Sequence, residues 1–179
     1  MKNKKLLLGI AWAWLTCLSA NAEVKLPAFF SDGMVMQQQT RANLWGTATP
    51  DAPVKITTSW DKQTYKTTAD AKGAWKLALS TPSAGGPYTI TFDDGKLTEI
   101  RDILMGELWL CSGQSNMEMP MKGFKNQPVE NSNTDVMNSR NPQLRLFTVK
   151  RSSSFTPKTD VVGTWQEAVP VTVREFSAT

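Results

Sequence analysis

Ser115 stands in the run Gly113-Gln114-Ser115-Asn116-Met117, a few residues after the stretch Met105-Gly106-Glu107-Leu108-Trp109-Leu110-Cys111. A strand that runs into a glycine-containing turn and then a serine is an arrangement that presents a nucleophile. A serine beyond the carboxyl end of a central strand projects from the sheet edge, where sites in open α/β sheets are built. Small residues let a substrate approach the backbone, and N–H groups of the following turn can stabilise an oxyanion. The chemistry is acyl transfer, with Ser115 attacking and the backbone of Gly113, Gln114, Ser115 and Asn116 in support. The same spacing has a second reading. Ser115 and Glu118 fit the S-x-x-E capping box of a helix start, and Pro120 would keep that helix short. Glu118 as an in-chain base is a poor fit, since a carboxylate removes a proton from an alcohol at neutral pH only when its pKa is raised. Spacing alone leaves nucleophile and cap both open.

The 179 residues contain no histidine. That removes the usual general base and the commonest zinc ligand, so a hydrolase reading has to account for its base. Two cysteines are present, Cys17 and Cys111. Cys17 falls in a leader, and the remaining Cys111 cannot form an intramolecular disulfide. Cys111 reads as a small buried apolar residue in a strand.

The first 22 residues have the three parts of a secretory signal peptide: Lys2, Lys4 and Lys5, the uncharged apolar run from Leu6 to Leu18, and the small-residue site Ala20-Asn21-Ala22. The run is short for a membrane anchor, which needs roughly 20 apolar residues, and Thr16 before Cys17 fits a lipoprotein signal poorly. The expectation is a secreted or periplasmic protein cleaved near Ala22, with no membrane anchor in its mature form. The whole chain carries a net charge of +4; the leader holds three lysines and no acid, so the mature chain is near +1. Nothing in that balance calls for a nucleic-acid partner.

From Glu23 to about Ile100 the chain reads as short strands between turns. Val54, Ile56, Thr58 and Trp60 alternate with polar residues, as do Trp75, Leu77 and Leu79, and Tyr88, Ile90 and Phe92. Period two buries one face and wets the other. Ser31-Asp32-Gly33, Thr49-Pro50-Asp51, Ala71-Lys72-Gly73, Gly85-Gly86-Pro87 and Asp93-Asp94-Gly95 supply turn residues, and Asp94-Gly95 marks a hairpin. These strands predict a small antiparallel β-sandwich. The character changes near Arg101. The stretch Met105 to Cys111 ends in a continuous apolar run without alternation, which predicts residues 107–111 as a strand buried on both faces, as in a parallel α/β sheet. Residues 121–142 read as a loop with a short helix, 143–149 as a strand and 151–164 as loop. An α/β sheet opened at residue 107 is not complete by residue 179, so the sequence predicts a β domain followed by the start of a larger catalytic domain.

The run from Gly106 to Pro120, Gly-Glu-Leu-Trp-Leu-Cys-Ser-Gly-Gln-Ser-Asn-Met-Glu-Met-Pro, resembles the nucleophile block of the sialate O-acetylesterases, which belong to the SGNH (GDSL-like) hydrolases. Phe30-Ser31-Asp32-Gly33-Met34-Val35-Met36-Gln37 resembles the opening of that family's β domain. Leu44-Trp45-Gly46, Gly73-Ala74-Trp75 and Ala84-Gly85-Gly86-Pro87-Tyr88 resemble its recurring turns, and Arg140-Asn141-Pro142, Arg145-Leu146-Phe147, Gly163-Thr164-Trp165 and Phe176-Ser177-Ala178-Thr179 the start of its catalytic domain.

After the signal peptide read over 1–22, the resemblance implies a β-sandwich (jelly-roll-like) domain over 23–101 and an incomplete SGNH-hydrolase domain over 102–179. It implies that Ser115 is the nucleophile and that its N–H contributes to the oxyanion hole. Gln114, where the broader superfamily has an acid, is local scaffolding. The family's remaining oxyanion donors and its acid/base histidine lie downstream of the stretch resembled here, so these 179 residues alone are expected to be inactive. The substrate class implied is an O-acetylated sugar such as sialic acid, with no cofactor and no metal. The competing expectation is a secreted carbohydrate-binding β module, in which Trp45, Trp60 and Trp75 would have to lie exposed side by side to stack on a glycan.

Overall fold

The computed structural model describes residues 23–177, so the signal peptide expected over 1–22 lies outside the described residues. The chain is mostly β. The strands are β1 (Val35–Gln37), β2 (Arg41–Thr47), β3 (Pro53–Thr58), β4 (Thr64–Thr68), β5 (Ala74–Ser80), β6 (Gly85–Asp93) and β7 (Leu97–Gly106), followed by β8 (Asn141–Phe147) and β9 (Trp165–Ala168). Three short helices complete the set: α1 (Ser115–Glu118), α2 (Ser132–Met137) and α3 (Pro170–Val173). One sheet has the order β1-β7-β6-β3-β4, a two-stranded ribbon is β2-β5, and a second ribbon is β8-β9.

The alternating residues do what period two requires. In β3, Val54, Ile56 and Thr58 point inward. They meet Ile90 and Phe92 of β6, Ile100, Ile103 and Met105 of β7, and Leu44, Trp75 and Leu79 of the β2-β5 ribbon in one core. Burying each of the larger side chains fully contributes about 1.5–3 kcal/mol. The Asp94-Gly95 hairpin forms as its residues predict. Asp93 pairs with Leu97, Gly95 has φ 114°, and its N–H donates to the Asp93 carboxylate.

Several expectations are corrected. The main sheet is not wholly antiparallel, because β1 pairs with β7 in parallel through Val35–Leu104, Met36–Met105 and Gln37–Gly106. Gly85-Gly86-Pro87, expected as a turn, opens β6 instead. The backbone at Gly86 lies so close to β7 that a Cβ there would come within 2.7 Å of the Ile103 carbonyl oxygen. The change of character near Arg101 falls inside β7, which runs on to Gly106.

The strand expected over 107–111 is absent. These residues are irregular, Trp109 is 82% and Leu110 93% exposed, and Cys111 is exposed rather than buried. The physical reason is pairing. A strand buried on both faces needs neighbours and covering layers, and among the described residues no strand lies beside 107–111.

Residues beyond Pro120 form a smaller core of Leu146, Ala168 and Val173, with Met121, Val136 and Phe176 packed on it. This part is fastened to the main sheet. Phe29, Phe147 and Trp165 pack as an aromatic triangle with centroids 5.2–5.5 Å apart. The Trp165 indole N–H donates to the Phe29 carbonyl at 2.8 Å, and that of Trp45 to the Thr159 carbonyl at 2.9 Å.

Candidate active site

Ser115 is exposed and is the first residue of α1. Gln114 occupies the cap position, with φ −101° and ψ −146°, and its carbonyl accepts from Met117 N–H at 2.9 Å. No side chain caps this helix. Glu118, which a capping box would turn back toward the helix start, pairs instead with Arg151 at 2.5 Å. The cap reading of Ser115 is therefore not realised. Gly113 lies against Met117: a Cβ there would come within 2.6 Å of the Met117 Cγ, the movable part of a flexible side chain. Asn116 is the second residue of α1. The four residues singled out from the sequence thus lie together on one exposed turn.

This turn tops an arch with two fixed feet. At the first, β7 ends at Gly106 beside β1, and the Gln38 N–H continues the ladder by donating to the Gly106 carbonyl at 2.9 Å. Gln37 and Gln38 then hold Glu107. The Gln37 side-chain amide donates to one carboxylate oxygen at 3.1 Å and that of Gln38 to the other at 2.7 Å. The Gln37 side-chain carbonyl accepts from Leu108 N–H at 2.9 Å. Hydrogen bonds from Gln38 first and Gln37 second hold the Glu107 carboxyl below its ordinary pKa, because they favour the charged form.

At the second foot Pro120 is buried and bridges to Ser177, Met121 N–H donates to the Phe176 carbonyl at 2.9 Å, and Lys122 pairs with Glu175 at 2.5 Å. Among the described residues, 109–113 make no hydrogen bond to the rest of the chain. Sequence reasoning missed Gln37, Gln38 and Arg151 as supports. Two glutamines at a strand end carry no periodic signal, and an arginine in a polar loop has many prospective partners.

Among the described residues no three His, Cys, Asp or Glu side chains converge as a metal-ligand group. An open groove of about 450 Å³ lies between Phe30, Ile100 and Trp165, with Asp32 and Glu99 at its rim; no residue of the arch lines it. The tryptophan platform required for a glycan-gripping module does not form. Trp75 is 4% exposed, and Trp45 and Trp60 are half-buried against the core. Trp45 meets Phe30 edge-on at 4.6 Å, and Trp60 meets Tyr88 at 5.8 Å.

The chain is 30% identical over 154 residues to the sialate O-acetylesterase of Pongo abelii and 31% identical over 141 residues to that of Mus musculus, spans covering 80% and 73% of this chain. Its fold matches the crystal structure of a carbohydrate acetylesterase from Xanthomonas citri with a TM-score of 0.78 and 34% identity over 87% of this chain. The chain belongs to the sialate O-acetylesterase family. It spans only part of its relatives: 29% and 25% of the two mammalian sialate O-acetylesterases and 35% of the Xanthomonas enzyme. No protein-family model matches it.

Proposed function

We propose that the chain carries the nucleophile of a serine esterase that removes O-acetyl groups from sialic acid or a related glycan. The observation that supports this is Ser115 itself. It is exposed on a turn fixed at both feet, in a chain whose relatives are acetylesterases. In this reading the Ser115 oxygen attacks the acetyl carbonyl, and its proton passes to a base. The bond from carbonyl carbon to sugar oxygen then breaks, and the sugar leaves as its alcohol. Water attacks the acetyl-serine, releasing acetate and restoring the hydroxyl. Backbone N–H groups of the 113–116 turn, Ser115 foremost, face the developing oxyanion.

The base is not a histidine of these 179 residues, which have none. It comes, in this reading, from the portion of the relatives' length that the chain does not span. The same portion supplies the strands that would flank residues 107–111 in an SGNH-type α/β domain, with residues 23–101 as a β-sandwich companion. Ser115, Gly113, Gln114 and Asn116 need no cofactor for this chemistry. In this reading the leader over 1–22 directs the enzyme out of the cytoplasm.

The test is a chimera. Residues 1–179 are joined to the corresponding remainder of the Xanthomonas citri acetylesterase and assayed on acetylated sialic acid and on an activated acetate ester. The expected result is turnover that Ser115→Ala lowers by about 10⁴-fold or more. A chimera that unfolds cooperatively yet turns over equally with Ser115→Ala overturns the reading. For residues 1–179 alone, the expectation is no turnover above the Ser115→Ala background.

A further inference from the structure

Gln37, Gln38 and Glu107 make a closed set of contacts where β7 gives way to the arch. Both oxygens of Glu107 are taken by amide donors from consecutive residues. The carbonyl of each glutamine side chain is also taken, that of Gln37 by Leu108 N–H and that of Gln38 by Ala84 N–H at 2.7 Å. The rest of Gln37 is fixed as well, since its backbone carbonyl accepts from the Thr81 hydroxyl at 2.7 Å. Leu108 is the last residue tied to the sheet before Ser115; between them lie Trp109 to Gln114, without hydrogen bonds to the main sheet among the described residues. The direction in which the chain leaves Leu108 is therefore, with the foot at Pro120, one of the two constraints on where Ser115 is carried. A carboxylate suits this place because two donors converge on it, and charge-assisted hydrogen bonds are stronger than neutral ones.

We propose that Gln37, Gln38 and Glu107 are positioning residues: they clamp the base of the arch and set the direction in which the segment bearing Ser115 leaves the sheet. The proposal rests on the reading of Ser115 as nucleophile for its functional meaning. Its test does not depend on turnover.

The full chain carrying Cys17→Ser has Cys111 as its one thiol, four residues before Ser115 and exposed. A nitroxide spin label on Cys111 reports the motion of the segment. Glu107→Gln removes one of the two carboxylate acceptors and should shorten the label's correlation time at least about twofold, with the urea midpoint nearly unchanged. The double exchange Gln37→Glu/Glu107→Gln reverses donor and acceptor. It keeps an amide facing a carboxylate and leaves an acceptor for Leu108 N–H, so it should restore most of the immobilisation. Asp102→Asn, which weakens the fold away from the clamp, should lower the urea midpoint without moving the label. A label equally mobile in the parent and in Glu107→Gln, or a double exchange no better than Glu107→Gln alone, overturns the proposal. Either result leaves the esterase reading standing, which only the chimera assay addresses.

Discussion

Arg145 reaches from β8 to Asp102 on β7 and meets both carboxylate oxygens, at 2.6 and 3.2 Å. The two partners are unequally buried. The Arg145 side chain is 8% exposed and that of Asp102 49%. Gly33 makes room for the guanidinium, since a Cβ there would come 3.2 Å from it, and the backbone there has φ 78°. This contact, with the Phe29–Phe147–Trp165 triangle, fastens the part of the chain beyond the arch to the main sheet.

The unequal burial gives the first prediction its sign. Asp102→Asn keeps a residue that tolerates the φ of 55° at this position. It leaves the guanidinium without a carboxylate nearer than Glu167 at 3.9 Å. The expected loss is about 2–3 kcal/mol, at or just below the roughly 3–5 kcal/mol of a broken buried pair because the Asp102 side is half-exposed. Arg145→Met leaves a half-exposed carboxylate that water can serve, and the expected loss is about 1 kcal/mol. Urea unfolding of both variants checks the order; equal or reversed losses would count against it.

Gly46 is a tight point of the β2-β5 ribbon. It pairs with Trp75, and a Cβ on it would come within 2.5 Å of the Lys25 carbonyl oxygen and 2.9 Å of the Trp75 ring. The carbonyl belongs to the bridge between Lys25 and Thr47 and cannot rotate away. Gly46→Ala should therefore cost about 3 kcal/mol, the upper part of the overpacking range. In a chain of this size that corresponds to a fall in Tm of about 10 °C. A thermal melt followed by circular dichroism measures it; an unchanged Tm would show that the ribbon yields there.

The strands of the main sheet were legible because alternation at Val54–Thr58 and Tyr88–Phe92 is a local property. The Asp94-Gly95 hairpin was legible because its dihedrals demand those residues. Trp109 to Cys111 were misread for a different reason. Their apolarity shows that they seek cover, but the run contains nothing that says which residues provide it. Among the described residues no strand lies beside them. The Asp102–Arg145 contact spans 43 positions between two common charged residues, so no spacing announced it. Ser115 was singled out by its own neighbours and the resemblance they carry, whereas Gln37 and Gln38, about 70 positions before Glu107, had no local signal to single them out.

Glu107 gives the pH prediction. Its folded pKa is lowered by the hydrogen bonds from Gln38 and then Gln37. A lowered folded value means that the carboxylate's contribution is fully present above the unfolded pKa and is lost as pH falls through the folded value. The Glu107 carboxyl, followed by NMR, should titrate below an ordinary glutamate. Gln38→Ala should raise its midpoint more than Gln37→Ala, in keeping with the shorter contact of 2.7 against 3.1 Å. A midpoint that neither variant moves would remove the amides as its cause.

Trp109 reports directly on the segment that departs from the sequence expectation. It is 82% exposed, whereas Trp75 is 4% exposed and Trp45, Trp60 and Trp165 are partly buried. With Trp12 and Trp14 replaced by phenylalanine, Trp109 should supply the most acrylamide-accessible and most red-shifted part of the emission. Trp109→Phe should then shift the emission maximum to the blue and lower the quenching constant. If residues 107–111 formed a strand buried on both faces in this chain, the same substitution would remove blue, protected emission instead. The experiment also bears on the proposed remainder of the enzyme. Strands placed on both sides of 107–111 in the chimera should cover Trp109 and abolish its quenching, while leaving Trp45 and Trp60 as they are.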